Sequence, residues 1–116
     1  ENSLIYYDRK NDIGPKQSDF NVVAVTDGEL LNALLTTSLG VVTVVVKERE
    51  IYFLKNVKFH LDTLQDLGCF VEIEASNKYA DLQIETLRKQ CEFYMQQLFI
   101  HDDDLIHVSY SDMLMA

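Results

Sequence analysis

Lys47-Glu48-Arg49-Glu50-Ile51-Tyr52-Phe53-Leu54-Lys55-Asn56-Val57-Lys58-Phe59-His60-Leu61-Asp62 is followed, after a short glycine-containing link, by Phe70-Val71-Glu72-Ile73-Glu74. Side chains alternate between the two faces of a strand. Lys47 and Arg49 therefore share a face, as do Lys58, His60 and Asp62, and as do Glu72 and Glu74. The alternate positions are apolar: Val57, Phe59 and Leu61, then Val71, Ile73 and Ala75. Strands of this kind build an antiparallel sheet with one polar and one apolar face. Two readings of the polar face stay open. One is an ordinary solvated surface; the other is the inner wall of a barrel, where cations and carboxylates together suit a polyphosphate and a divalent metal.

Around this stretch, Val41 to Leu54 and Val57 to Thr63 predict two long strands joined at Lys55-Asn56, a two-residue hairpin turn in which Asn56 takes the positive φ. Val41 to Val46 predicts a buried strand segment, Leu64 to Gly68 a turn, and Cys69 to Ala75 the carboxylate strand. Upstream, Ser3 to Arg9 and Phe20 to Val25 have strand composition. Lys10 to Ser18, with Asn11-Asp12 and Gly14-Pro15, reads as a loop between them. Thr26 three positions before Glu29 is a capping-box pattern. It predicts a helix that buries Leu30, Leu31, Leu34, Leu35 and Leu39 and ends at Gly40 in the left-handed conformation. A second helix is expected over Asp81 to Leu98, with Leu82, Leu87, Cys91, Tyr94, Met95 and Leu98 on one stripe. Asp102-Asp103-Asp104 reads as a solvated turn, and Tyr110 to Met115 as a short closing element that docks back.

At 116 residues the chain reads as one domain, 1–116. A hydrophobic fraction of 47% suffices for a core. With 10 basic against 19 acidic residues and a net charge of −9, a nucleic-acid partner is not expected, because phosphate backbones are held mainly by Lys and Arg. A small phosphate ligand stays compatible, since a few cations gathered in a cavity set the local field. No apolar run approaches the ~20 residues that span a bilayer, so no membrane partner is expected. Cys69 and Cys91 stand alone without metal-ligand spacing, which disfavours zinc and suits a reduced, cytoplasmic setting. No Ser-His-Asp nucleophile pattern, phosphate-binding P-loop or dinucleotide fingerprint is present.

Lys47-Glu48-Arg49, His60-Leu61-Asp62, Leu67-Gly68 and Phe70-Val71-Glu72-Ile73-Glu74 resemble the C-terminal half of a CYTH domain. Leu4-Ile5-Tyr6-Tyr7-Asp8-Arg9, Gly14-Pro15-Lys16, Ser18-Asp19-Phe20 and Ser109-Tyr110-Ser111-Asp112-Met113-Leu114 resemble the family's cyclase-like bacterial branch in the same order. This is the family of class IV adenylate cyclases, thiamine triphosphatases and inorganic triphosphatases, and the resemblance covers nearly the whole chain. It implies an α+β fold, mainly an antiparallel β-barrel around a triphosphate tunnel with flanking helices. The chain would be the C-terminal part of that domain, because the family's N-terminal Glu-x-Glu-x-Lys strand has no counterpart before Leu4. Sheet edges left open by such a gap would invite another strand, from an upstream segment, a second copy in a homodimer or a different protein.

The site residues follow from spacing and resemblance together. Glu72 and Glu74, two apart on a strand, make a hard-oxygen locus suited to Mg²⁺ or Mn²⁺. The resemblance makes them the metal pair, with Asp62 completing the acidic cluster across the sheet. Lys47 and Arg49 are candidates for phosphate contacts, and with Asp62 they form the expected catalytic set. The resemblance adds Arg9, Lys16 and Lys58 as substrate-binding residues, although Gly14-Pro15-Lys16 reads equally as a plain turn. Lys55, at a hairpin tip, faces solvent. His60 beside a carboxylate reads as a hydrogen-bonded structural residue or as a proton acceptor. Tyr110 resembles a family tyrosine that packs near the tunnel, with core packing as its plainer role. The implied activity is metal-dependent processing of a triphosphate, either ATP cyclised to cyclic AMP or a small triphosphate hydrolysed. A non-catalytic module whose open sheet edge pairs with a partner accommodates the same residues, and a Glu-x-Glu-x-Lys strand upstream would discriminate against it.

Overall fold

A two-residue turn leaves a strand pair little freedom of register, and here it pairs Leu54 with Val57. The computed structural model describes residues 1–10, 14–77 and 81–116. In it β3 (Lys47–Leu54) runs antiparallel to β4 (Val57–Leu64), which runs antiparallel to β5 (Gly68–Ala75). The positive φ of the first turn falls on Lys55, at 56°, and not on Asn56 as the sequence suggested. Asn56 instead spends its side chain on tertiary contacts. Its amide donates to the Ser76 carbonyl oxygen at 3.1 Å and to Gln90 Oε1 at 2.8 Å, tying the sheet to helix α2 (Ile84–Gln97).

Helix α2 packs on the apolar face of the sheet. Phe59 meets Tyr94 edge to face, with ring centroids 5.1 Å apart, a geometry worth ~0.5–1.5 kcal/mol beyond burial. Leu87, Cys91, Tyr94 and Met95 of the expected stripe are half-buried, and burial pushes the Cys91 thiol pKa up. The helix begins at Ile84, after Leu82, and Leu98 ends 49% exposed. Beyond the helix, Leu61 and Val71 on the same stripe remain exposed.

On the charged face sits α3 (Tyr110–Met115), started by a reciprocal capping box between Ser109 and Asp112. Tyr110 packs on Phe70 with centroids 5.3 Å apart, so the closing element docks as its sequence suggests. Among the described residues, Val57 and Leu64 are the fully buried apolar side chains. Asp102–Asp104 forms a single exposed 3₁₀ turn.

The N-terminal strands β1 (Asn2–Arg9) and β2 (Ser18–Val25) pair with each other in a separate two-stranded sheet. Asn11 and Asp12 of the expected loop lie outside the described residues. Helix α1 (Gly28–Leu39) is capped by Asp27, whose carboxylate accepts from the Leu30 N–H at 3.0 Å, and not by Thr26. Asp outranks Thr as a cap, which accounts for the one-residue shift. The helix ends at Gly40 as expected, with a positive φ of 80°, but its ψ of 177° is extended and not the left-handed helical value.

Two burial expectations are corrected. Leu30, Leu34 and Leu39 of α1 are 67%, 60% and 81% exposed, with only Leu31 and Leu35 half-buried. Val41 to Val46 is not a strand; its one backbone link to the sheet among the described residues is the Gln65 N–H donating to the Val46 carbonyl oxygen at 3.3 Å. Apolar pattern reports what a segment can bury, and burial needs a facing element. Leu30, Leu34 and Leu39 of α1, like Val41, Val42, Val44 and Val46, stay exposed. The strands form a two-stranded and a three-stranded sheet, and among the described residues they do not close into one barrel. The radius of gyration, 15.9 Å, exceeds the ~13 Å typical of a close-packed domain near this length. The architecture is α+β with antiparallel sheets, and no described helix is long and apolar enough to cross a membrane.

Candidate functional site

Register assembles the site. Stepping back from the Leu54–Val57 pair places Arg49 opposite Asp62 and Lys47 opposite Leu64. Across the Leu64–Gly68 turn, His60 lies opposite Glu72 and Lys58 opposite Glu74. Directly opposed residues share a face. Lys47, Arg49, Lys58, His60, Asp62, Glu72 and Glu74 consequently lie on one face of one sheet.

The face divides into two clusters. In the first, Arg49 grips Asp62 as a bidentate fork, with Nε donating to Oδ1 at 2.6 Å and Nη2 to Oδ2 at 2.7 Å. The Tyr110 hydroxyl donates to the same Oδ2 at 2.9 Å. Asp62 is 2% exposed, so these donors replace the water it has lost. The hydrogen bonds from Arg49 hold its carboxyl pKa down at about 2 against 3.8 ordinarily; Tyr110 adds to them, and burial only partly opposes. The bond to Asp62 raises the Arg49 pKa in return. Burial, and then its bond to Asp62, raises that of Tyr110. Lys47 Nζ sits 5.3 Å from the centre of the Tyr110 ring, and burial, then repulsion from Arg49, lowers its pKa.

A pH dependence follows. Because the folded Asp62 pKa is depressed, its stabilising contribution is complete above 3.8 and is lost as pH falls toward about 2. Denaturant midpoints measured across that window should fall more steeply in the wild type than in Asp62→Asn. Equal slopes would show that Asp62 does not carry the linkage.

In the second cluster, His60 Nδ1 lies 3.2 Å from Glu72 Oε1. His60, Glu72 and Glu74 bring one donor atom each within 4.8 Å of one another. Lys58 Nζ is 4.0 Å from Glu74 Oε1. Two carboxylates and an imidazole are donors that a divalent ion accepts, with positions left over for water or phosphate oxygens. Asp62, expected to complete this cluster, is not among the donors gathered within 4.8 Å, and its oxygens accept from Arg49 and Tyr110 instead. The residue facing Glu72 is His60. Counting register across the Leu64–Gly68 turn is the signal that would have found it.

The remaining candidates lie elsewhere. Arg9 closes β1 of the other sheet, its guanidinium 6.0 Å above the Tyr7 ring. Lys16 Nζ donates to the His107 carbonyl oxygen at 3.3 Å, linking the β1–β2 connection to the C-terminal segment. Lys55, left out of the site by its place at a hairpin tip, is exposed.

Neither a comparison with curated proteins nor one with solved structures finds a match. The sequence model of the CYTH domain does match, over residues 5–110, a span that takes in every residue of the charged face and Tyr110. That family is metal-dependent, binds triphosphates, and its members are commonly enzymes. With the match covering all but the ends of the chain, this protein belongs to the CYTH domain family.

Proposed function

We propose that residues 1–116 are part of a single CYTH-type domain that processes a triphosphate with the help of Mg²⁺ or Mn²⁺. The reaction is either cyclisation of ATP to cyclic AMP with loss of pyrophosphate, or hydrolysis of a small triphosphate such as thiamine triphosphate or tripolyphosphate. The observation carrying this reading is the placement of the β3 cations and the β5 carboxylates on one sheet face, across β4. A polyanion needs the first set and its metal the second.

Lys47 and Arg49 take the phosphates. A guanidinium has five N–H donors, and Asp62 uses one on Nε and one on Nη2. The others serve phosphate oxygens, while Asp62 fixes the plane of the fork. Lys58, Arg9 and Lys16 complete the cationic lining once the strands close into the family's barrel. A divalent ion at Glu72 and Glu74 supplies neutralisation of charge on the triphosphate oxygens. A cytoplasmic setting suits the free Cys69 and Cys91.

The test is turnover by the intact protein of ATP, thiamine triphosphate and tripolyphosphate, with and without Mg²⁺ or Mn²⁺. At least one should be consumed in a metal-dependent manner, and Lys47→Met should raise KM by roughly tenfold or more. Absence of both turnover and calorimetric binding for all three would overturn the reading. The exposed apolar side chains of the β1–β2 hairpin, with Ile5, Tyr6 and Val23 at 56%, 67% and 60%, favour a second reading. In it the domain is a non-catalytic module whose open sheet edges take a strand from a second copy or another protein. Inactivity together with stable self-association or partner capture would support that alternative.

A further inference from the structure

Two carboxylates on a strand do not by themselves select among divalent ions. His60 is the residue of the charged face that the proposed function leaves unused. It is 5% exposed, and its Nδ1 stands 3.2 Å from Glu72 Oε1. Adjacent donors around an octahedral ion with bonds of ~2.1 Å are separated by ~3.0 Å and opposite donors by ~4.2 Å. The His60, Glu72 and Glu74 donors all lie within 4.8 Å of one another, close to the span of one such ion.

We propose that His60 Nδ1 is a third protein ligand beside Glu72 and Glu74, so that the site takes first-row transition ions, Mn²⁺ among them, in preference to Mg²⁺. The proposal rests on the metal reading above and sharpens it. Mg²⁺ is hard, demands oxygen donors and sheds water reluctantly. An imidazole nitrogen adds bond strength with transition ions that Mg²⁺ cannot match. Burial works in the same direction. His60 cannot swing out to solvent, and its contact with Glu72 holds Nδ1 in place before binding; Nδ1 carries a proton in that contact, and the ion takes its lone pair as the proton moves to Nε2 or to solvent.

The alternative geometry keeps His60 outside the coordination shell, donating from Nδ1 to a Glu72 that alone touches the ion. The two arrangements differ in whether nitrogen is bonded to metal. Mn²⁺ and Mg²⁺ are titrated separately into the intact, substrate-free protein by calorimetry, and pulsed electron paramagnetic resonance is recorded on the Mn²⁺ form. Mn²⁺ should bind at least about tenfold more tightly than Mg²⁺. The wild-type spectrum should carry a ¹⁴N coupling that becomes ¹⁵N on labelling histidine, persists in His101→Asn and His107→Asn, and vanishes in His60→Gln. Equal affinities, or Mn²⁺ bound with water and carboxylate couplings only, would overturn the role of His60 and leave the carboxylate metal site standing. Binding of neither ion would overturn both. Since the wild-type spectrum decides the point, the test survives a His60→Gln variant that fails to fold.

Discussion

Asp62→Ala lowers the stability of the domain by about 3 kcal/mol, read as a drop in denaturant midpoint at constant slope. The substitution strands two donors, the Arg49 guanidinium and the Tyr110 hydroxyl. Removing one partner of a buried ion pair typically costs ~3–5 kcal/mol. The Arg49 side chain keeps 26% exposure, and water reaching it places the effect at the low end. A chain whose fully buried apolar residues, among those described, are Val57 and Leu64 has little reserve against such a loss. Arg49→Met in the same background should recover part of it, because the stranded charge is then gone. A loss below ~1 kcal/mol would mean that solvent screens the pair as it does a surface salt bridge.

Glu72→Gln should act on chemistry and leave the fold alone. The Glu72 side chain is 42% exposed, and the amide keeps its shape and can still hydrogen-bond to His60. The thermal midpoint should therefore move by no more than ~3 °C. Metal-dependent triphosphate turnover by the intact protein should fall about 100-fold or more, since the change removes both a charge and a hard ligand. Wild-type turnover in this variant would take Glu72 out of the metal site.

Much of this geometry can be read from the residues alone, and the rest fails for identifiable reasons. Strand parity puts Lys47 and Arg49, Lys58 and Asp62, and Glu72 and Glu74 into stripes, and the Lys55-Asn56 and Leu64–Gly68 turns set how those stripes align. What parity omits is which carboxylate serves which partner. That depends on register: Arg49 falls opposite Asp62, and His60, not Asp62, falls opposite Glu72. Taking Asp62 for part of the acidic cluster overlooked a pairing that counting from the turn would have exposed. The leucine stripe of α1 and the valines of Val41 to Val46 fail differently. Their composition marks what each segment can bury, and burial also needs an element facing it. Asp27 displaced Thr26 as the helix cap because adjacent capping residues compete, and the stronger one sets the boundary.

The spacing of contacts along the chain also orders assembly in time. The Arg49–Asp62 and His60–Glu72 contacts span 13 and 12 residues, so they form as the β3–β4–β5 meander zips up through short loop closures. The Tyr110–Asp62 bond spans 48 residues and must wait for α2 and the turn after it. Long closures carry more entropy and come later. On this ordering the charged face of the meander forms with one end bare, and α3 docks on it afterwards. For that interval Asp62 is held by arginine alone.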